Sequence, residues 1–297
     1  MPIKSGQSSK LEHVFIDKNN TIYVTDSHDH LIYEWRNSSN SPTRIISFGL
    51  YEPRALFVSS ASDFYVNYGD DGQVNKWKAT TNSFETVAQF CDTCFAIFID
   101  VNDTIYCSMK YHHQIVTKLL HSNLNMITVV AGVGIEGSEA HMLHYPHGIF
   151  VNINLDLYVA DTSNDRIQLF RSNTVKGTTI AGIPNTISLN NPTSVVLDAN
   201  NYIYILDTGY NRIVSGTSNG FRCIVSCGEE SDSSNQLTYP SSMAFDSFGN
   251  LYVTDSDNDR VQKFLLSKNT FGEFNRSDIG LRYYFNNILF SHTNRTN

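Results

Sequence analysis

Six times along the chain, an apolar strand carrying a tyrosine runs into a polar turn and out again into a second strand. The copies read TIYVTDSHDHLIYEW from Thr21, DFYVNYGDDGQVNKW from Asp63, TIYCSMKYHHQIVTK from Thr104, LYVADTSNDRIQLF from Leu157, YIYILDTGYNRIVSG from Tyr202 and NLYVTDSDNDRVQKF from Asn250. Their tyrosines are Tyr23, Tyr65, Tyr106, Tyr158, Tyr204 and Tyr252, at intervals of 42, 41, 52, 46 and 48 residues. A short apolar segment precedes each copy (HVFID, ALFVS, AIFID, GIFVN, SVVLD, MAFDS). Another β-rich segment, such as GTTIAGI or FRCIVSC, follows the second strand. In YPHGIFV, NPTSVVLD and YPSSMAFD a proline stands just before the apolar segment. A unit of about four short strands repeating near every 46 residues is the mark of a propeller blade.

Apolar residues nowhere recur at helical spacing over a helix-length window, which excludes helical solenoids. Segments such as GIFV and YIYIL are apolar at successive positions, as expected of a sheet covered on both faces by its neighbours. The expectation is an all-β chain: a six-bladed β-propeller with four-stranded antiparallel blades over residues 1–275. Residues 276–297 form a C-terminal tail, whose run LRYYFNNILF is a candidate outer strand completing the last blade.

Composition agrees with strands. Charged residues make up 17% of the chain against about 25% in a typical domain, and Tyr, Phe, Val and Ile favour the pleated surface. The net charge of −8, with no Lys/Arg cluster, argues against a nucleic-acid partner, which calls for a basic face. No apolar run reaches membrane-spanning length, so no membrane partner is expected. MPIKSGQSSK is not a signal peptide, which leaves two expectations: a cytosolic protein, or a piece of a longer extracellular one. The chain is read as a monomer or part of a longer multidomain protein. Sequons at Asn19, Asn37, Asn102, Asn275 and Asn294 are no more than chance supplies and carry no weight.

Among the five cysteines, Cys91 and Cys94 form a lone C-x-x-C, too few ligands for zinc without a distant histidine. Cys223 and Cys227 are spaced to bridge a short loop in an oxidising compartment. An odd total leaves at least one thiol unpaired within the chain.

PHGIFVNINLDLYVADTSNDRIQLF, from Pro146 to Phe170, closely resembles the NHL repeat, and all six units follow its pattern to some degree over roughly residues 11–270. The fourth to sixth units match best. The second has Tyr68, and the third Met109, where the others have Asp. The resemblance implies a six-bladed propeller. The W-D dipeptide of WD40 blades is absent.

A polar cluster recurs in the turn of several copies. Asp26, Asp161, Asp207 and Asp255 each end the tyrosine strand, where a short carboxylate suits an Asx-type turn that accepts N–H bonds from the residues after it. Asn164, Asn211 and Asn258 recur within that turn, where positive φ is often needed. Arg166, Arg212 and Arg260 open the next strand, placed to return to the aspartate or to reach the neighbouring blade with charge-assisted bonds. A catalytic site is singular whereas mortar is repeated, so the cluster reads as structural. DSDNDR, from Asp255, begins like a calcium loop but has Arg260 where glycine is needed and Leu266 where the bidentate glutamate belongs.

Chemistry in a propeller sits where the innermost strands ring the channel mouth. Counting back from each tyrosine, that ring position is held by Glu12, Arg54, Phe95, His147, Thr193 and Ser241. Peptidyl-hydroxyglycine lyases, which resemble NHL proteins, hold zinc by histidines from several blades. Of such histidines only His147 falls on the ring, while His141 and His144 belong to the loop leading to it. Calcium-dependent lactonase propellers need converging Glu, Asn and Asp, of which only Glu12 is present. The pairs His28/His30 and His112/His113 replace the usual turn residues and read as drift. No nucleophile elbow, phosphate loop or dinucleotide fingerprint occurs. The expected function is a non-enzymatic recognition or scaffold module that binds a protein or peptide on its loop face, with no cofactor and no metal. The alternative is a metal-dependent lyase or hydrolase working at the central channel.

Overall fold

Every second strand of the repeat meets its tyrosine strand across a tight turn, and the first apolar segment pairs on the other side. A computed structural model closes these into six separate antiparallel sheets. It describes residues 10–265 apart from 37–38, 40, 48, 50, 79, 82, 123–125, 183–185, 218 and 229–235. The first blade comprises β1 (Leu11–Ile16), β2 (Ile22–Asp26), β3 (Leu31–Trp35) and β4 (Arg44–Ile46), and the second β5 (Pro53–Val58), β6 (Phe64–Tyr68), β7 (Gln73–Lys78) and β8 (Ser83–Gln89). The third has β9 (Ile97–Ile99), β10 (Thr104–Met109), β11 (Gln114–Leu119) and β12 (Thr128–Ala131). The fourth has β13 (Pro146–Val151), β14 (Leu157–Asp161), β15 (Arg166–Phe170) and β16 (Thr178–Ala181). The fifth has β17 (Pro192–Leu197), β18 (Ile203–Asp207), β19 (Arg212–Thr217) and β20 (Gly220–Val225), and the sixth β21 (Pro240–Phe245), β22 (Leu251–Asp255) and β23 (Arg260–Phe264). The fold is thus the expected six-bladed propeller, with four strands in five blades and three described strands in the last. The tail segment LRYYFNNILF lies outside the described residues. No helix among the described residues is long and apolar enough to cross a membrane.

The tyrosine strands are the most buried. β2, β14, β18 and β22 have every residue buried, because blades cover both faces of their neighbours. The packing clusters lie between blades: Tyr158, Ala160 and Ile167 of the fourth meet Val195, Leu197 and Ile205 of the fifth, while Val24 and Tyr33 of the first meet Tyr252 and Val261 of the sixth. The ring closes through that last interface, with β1 against β21.

The aspartates ending the tyrosine strands are fully buried, but their bonding differs from an Asx turn. Asp161 accepts the His144 N–H (2.7 Å), the Asn164 amide (2.9 Å) and Arg166 Nε (2.7 Å). Asp207 accepts the Asn190 N–H and Arg212 Nε. Asp255 accepts the Thr238 N–H, Asn258, Arg260 Nε and Gln262. Each carboxylate therefore ties the loop arriving at its own blade to the strand leaving it. Only Asp26 takes N–H bonds from the following residues, His28 and Asp29, besides that of Lys10. Leu31 stands where the fourth, fifth and sixth blades have arginine, and Asp26 Oδ2 is buried with no partner among the described residues. Burial raises the pKa of Asp26, Asp161 and Asp207 in spite of their hydrogen bonds, so desolvation outweighs pairing at these sites.

The Asx turns are on the opposite rim. Asp17, Asp100, Asn152, Asp198 and Asp246, the last polar residues of the leading segments, each accept N–H bonds from residues two and four further on.

The left-handed position of the other turns is also not where Asn164 and Asn258 stand. It is held by His113 (φ 53°), Asp165 (φ 52°), Asn211 (φ 52°) and Asp259 (φ 50°), and by His30 (φ 59°). Asn164 and Asn258 lie one residue earlier and bond the aspartate instead. Four of the left-handed residues also reach the next blade. His30 Nδ1 accepts the Glu52 N–H (3.0 Å), His113 Nδ1 that of Tyr145 (3.1 Å), Asp165 that of Asn191 (2.7 Å) and Asn211 that of Tyr239 (2.8 Å). All four donors precede a proline and have positive φ themselves. His30 and His113 are thus members of an inter-blade clasp, and the reading of these histidines as drift is corrected.

Removing the Asp255 carboxylate takes the acceptor away from Arg260 Nε, the Thr238 N–H and the Gln262 amide together. Asp255→Ala is expected to cost about 3 kcal/mol, as breaking a buried pair does, read as a lowered midpoint in urea. Leu31→Arg, which supplies Asp26 with the missing cation, is expected to raise the midpoint.

Candidate functional site

Each inner strand starts at the rim carrying the turns just described and runs down the axis. A cavity of about 230 Å³ lies along that axis, and Glu12, Phe95, His147, Thr193 and Ser241 line it. Arg54 is at the rim, its guanidinium 5.3 Å above the Phe95 ring and paired with Glu52 (2.7 Å) and Asp70 (3.2 Å). The structure thus brings the six ring positions together around one mouth, but their free chemistry is unequal. The Ser241 hydroxyl bonds the carbonyls of Leu11 and Glu12, and the Thr193 hydroxyl bonds Thr208. Both serve the joints between blades. Glu12 is paired with Lys10 (2.9 Å) and accepts the Ser27 hydroxyl.

Two residues missed by the sequence reading stand beside them. A register shift between Leu11 and His13 lets Glu12 and His13 both line the channel, so His147 is not alone there. Lys110, from the turn of the third blade, sits 4.8 Å from the Phe95 ring centroid and 6.0 Å from that of Tyr111. It has no ion-pair partner among the described residues. Counting from the tyrosines finds neither, because it presumes an unbroken register and considers inner strands only.

Partly buried in the narrow channel, His13 and His147 both have pKa values pushed down to about 4. Loss of solvation is the main cause in each. The Lys110 charge adds to it at His147, and Glu12 opposes it at His13. Burial lowers the Lys110 pKa as well, against the attraction of Glu12.

From this mouth an aromatic strip crosses the rim of the third and fourth blades. Phe95 touches His147 (5.6 Å between centroids) and Tyr111 (5.5 Å), Tyr111 touches Tyr145 (5.9 Å), and Tyr145 touches His113 (4.9 Å) and His144 (5.0 Å). Tyr51, Tyr111, Tyr210 and Tyr239 are exposed on the same rim.

Deeper in the channel, register sets one residue of each inner strand opposite the repeated tyrosine: Phe15, Phe57, Phe98, Phe150, Val196 and Ala244. Phe15 meets Phe57 (5.0 Å), Phe57 meets Phe98 (5.9 Å) and Phe98 meets Phe150 (5.6 Å). Four blades thus fill their share of the axis with a ring, and two leave it open.

His141, His144 and His147 do not converge. His144 pairs with Glu136 (3.1 Å) on the rim, whereas His147 lines the channel. Among the described residues no three His, Cys, Asp or Glu side chains form a group that could hold a metal ion. Cys223 and Cys227 are joined as a disulfide, and so are Cys94 and Cys107, while Cys91 is free and exposed. The second bridge ties the segment entering β9 to β10. The two cysteines of the C-x-x-C thus part company, Cys94 bridging to Cys107 and Cys91 remaining a thiol.

Fold and channel together define a class, the six-bladed propeller with an axial cavity closed by aromatic rings on one side. Residues 237–264, within the sixth copy, match the NHL repeat family model, and the chain as a whole is a six-bladed β-propeller. No curated protein matches it. Solved structures share the fold at low identity. Virginiamycin B lyase from Staphylococcus aureus has 13% identity and a TM-score of 0.62, covering 91% of this chain and 85% of that one. A gluconolactonase from Xanthomonas campestris has 12% identity and a TM-score of 0.63, covering 84% of each. A chain of a nidogen/laminin complex has 15% identity and a TM-score of 0.60, covering 86% of this chain and 89% of that one.

The channel histidines give acid sensitivity a defined sign. Their folded pKa lies below the usual 6.5, so the unfolded chain takes up protons first. The stability they contribute is present above pH 6.5 and is lost as pH falls from there through about 4. Urea midpoints measured between pH 7 and 4 are expected to fall less steeply in the His13→Gln, His147→Gln double variant.

Proposed function

We propose that this propeller is a recognition module that binds a protein or peptide across its turn-bearing rim, on the side of the third and fourth blades. The carrying observation is the strip Phe95–Tyr111–Tyr145 with its flanking histidines, topped by Lys110 and Arg54. Tyrosine and arginine are the side chains that dominate binding at such surfaces. They offer broad contact area at low entropic cost, with a polar tip that stays wet. The polar clusters repeated around the ring are spent on holding blades, which leaves this unrepeated strip as the rim's distinctive surface. The disulfides suit an oxidising compartment. Mass mapping of unreduced peptides from native protein checks this, since free Cys94 and Cys107 would contradict it.

A second reading is kept, because the virginiamycin B lyase and the gluconolactonase are enzymes on this fold, and two channel histidines, His13 and His147, offer nitrogen ligands. A metal-dependent lyase or hydrolase would hold stoichiometric zinc or calcium in the purified protein and lose it in His147→Ala.

Peptides selected from a displayed library on the immobilised propeller are expected to bind at least about tenfold more weakly to Tyr111→Ser or Arg54→Ala. Affinity should be unchanged in Phe248→Ser, an exposed substitution on the opposite rim. A library that enriches nothing, or peptides indifferent to the rim substitutions, would overturn the reading.

A further inference from the structure

The channel below the mouth is not accounted for by a rim that binds peptides. Its cavity of about 230 Å³ exceeds the roughly 150 Å³ apolar cavity that takes up benzene in a protein core. The open space follows from the asymmetry of the axis. Phe15, Phe57, Phe98 and Phe150 form an arc of touching rings. The same position holds only Val196 and Ala244 in the fifth and sixth blades. A phenyl-sized group fits the vacancy that two more phenylalanines would fill.

Polar groups at the top of the cavity suggest the rest of the ligand. Lys110 lies over Phe95 without an ion-pair partner among the described residues. His13 Nδ1 is buried with no hydrogen-bond partner among them. Glu12, the one carboxylate lining the cavity, is already matched by Lys10 and Ser27. A ligand cation would face Lys110 and Arg54, a neutral head group would leave Lys110 unpaired, and an anion would pair with it.

We propose that the channel binds a small organic acid, with its ring or short apolar chain against Val196 and Ala244 and its carboxylate at the mouth, paired with Lys110. The site shares Phe95 and Lys110 with the rim surface, but its apolar half, at Val196 and Ala244, lies deeper, so binding in the channel does not require a peptide on the rim.

Calorimetric titration with 3-phenylpropionate, 3-phenylpropan-1-ol, 3-phenylpropylamine and propionate tests both halves of the site. The acid is expected to bind at least about tenfold more tightly than the alcohol, and neither the amine nor propionate should bind measurably. Ala244→Phe and Val196→Phe each reproduce the residue of four other blades at an equivalent place, and each is expected to weaken the acid tenfold or more. Either suffices should the other fail to fold. Lys110→Met, on the rim and outside the core, is expected to bring the acid down to the affinity of the alcohol. Absence of binding by 3-phenylpropionate would overturn the proposal. So would a preference for the amine, or unchanged acid affinity in a folded channel-filling variant.

Discussion

Among the described residues, no strand-to-strand ladder passes from one blade to the next; every described strand pairs within its own copy of the repeat. The joints between blades are therefore left to side chains and apolar packing. Hydroxyls do much of this. Thr162 bonds the Pro192 carbonyl, Thr208 that of Pro240 and Ser256 that of Leu11, all at 2.7–2.8 Å. Ser108 serves Pro146 in the same way, and Thr25 serves Arg54 more loosely. The bond joining the sixth blade to the first is thus the same as those joining the fourth to the fifth and the fifth to the sixth. The described part of the closing joint is β1 against β21, with no strand exchanged among the described residues.

The joint between the second and third blades is built otherwise. Gly72 occupies the left-handed turn position there (φ 71°) and has no side chain to offer. Asn67, one strand earlier, accepts the Cys94 N–H and the Thr93 hydroxyl. The third blade also lacks the buried aspartate, since Met109 stands in its place. The Cys94–Cys107 bridge fastens its incoming segment to β10, the task that Asp161 performs through the His144 N–H in the fourth blade. One mechanical need, anchoring the loop that arrives at a blade, is met by a carboxylate in some copies and by a disulfide in another.

That substitution of means explains what was legible in the sequence. Tyrosines, strand count and six-fold repetition are carried by residue type, so the fold could be read directly. Aspartate with arginine could be read as structural because the pair recurs. The clasp could not, because His, Asp and Asn occupy it in different blades and only the backbone angle and the acceptor atom are constant. Pro53 heads β5 as Pro146, Pro192 and Pro240 head theirs, yet YEPRALFV escapes a pattern defined on three copies. His13 became visible only once a bulge brought two consecutive residues to face the axis. The free charge of Lys110 depends on which carboxylates are already spent, and that is settled by contacts between residues distant in sequence, such as Ser27 with Glu12.

In a repeat protein, symmetry separates support from specialisation. Interactions required to hold a ring together must be made at every joint, and those seen here recur in most copies with interchangeable donors. A site that recognises one ligand needs no such repetition and stands out where equivalent positions diverge. Divergence is concentrated in two places. On the rim, Phe95, Tyr111 and Lys110 cluster on the third blade, while the corresponding turns of the fourth and sixth are Thr162–Asn164 and Ser256–Asn258. On the axis, rings give way to Val196 and Ala244. Phe95 belongs to both, since it lines the cavity and anchors the aromatic strip. A ligand filling the channel would change what Lys110 and Phe95 present to a partner on the rim, so physical contact alone couples the two surfaces.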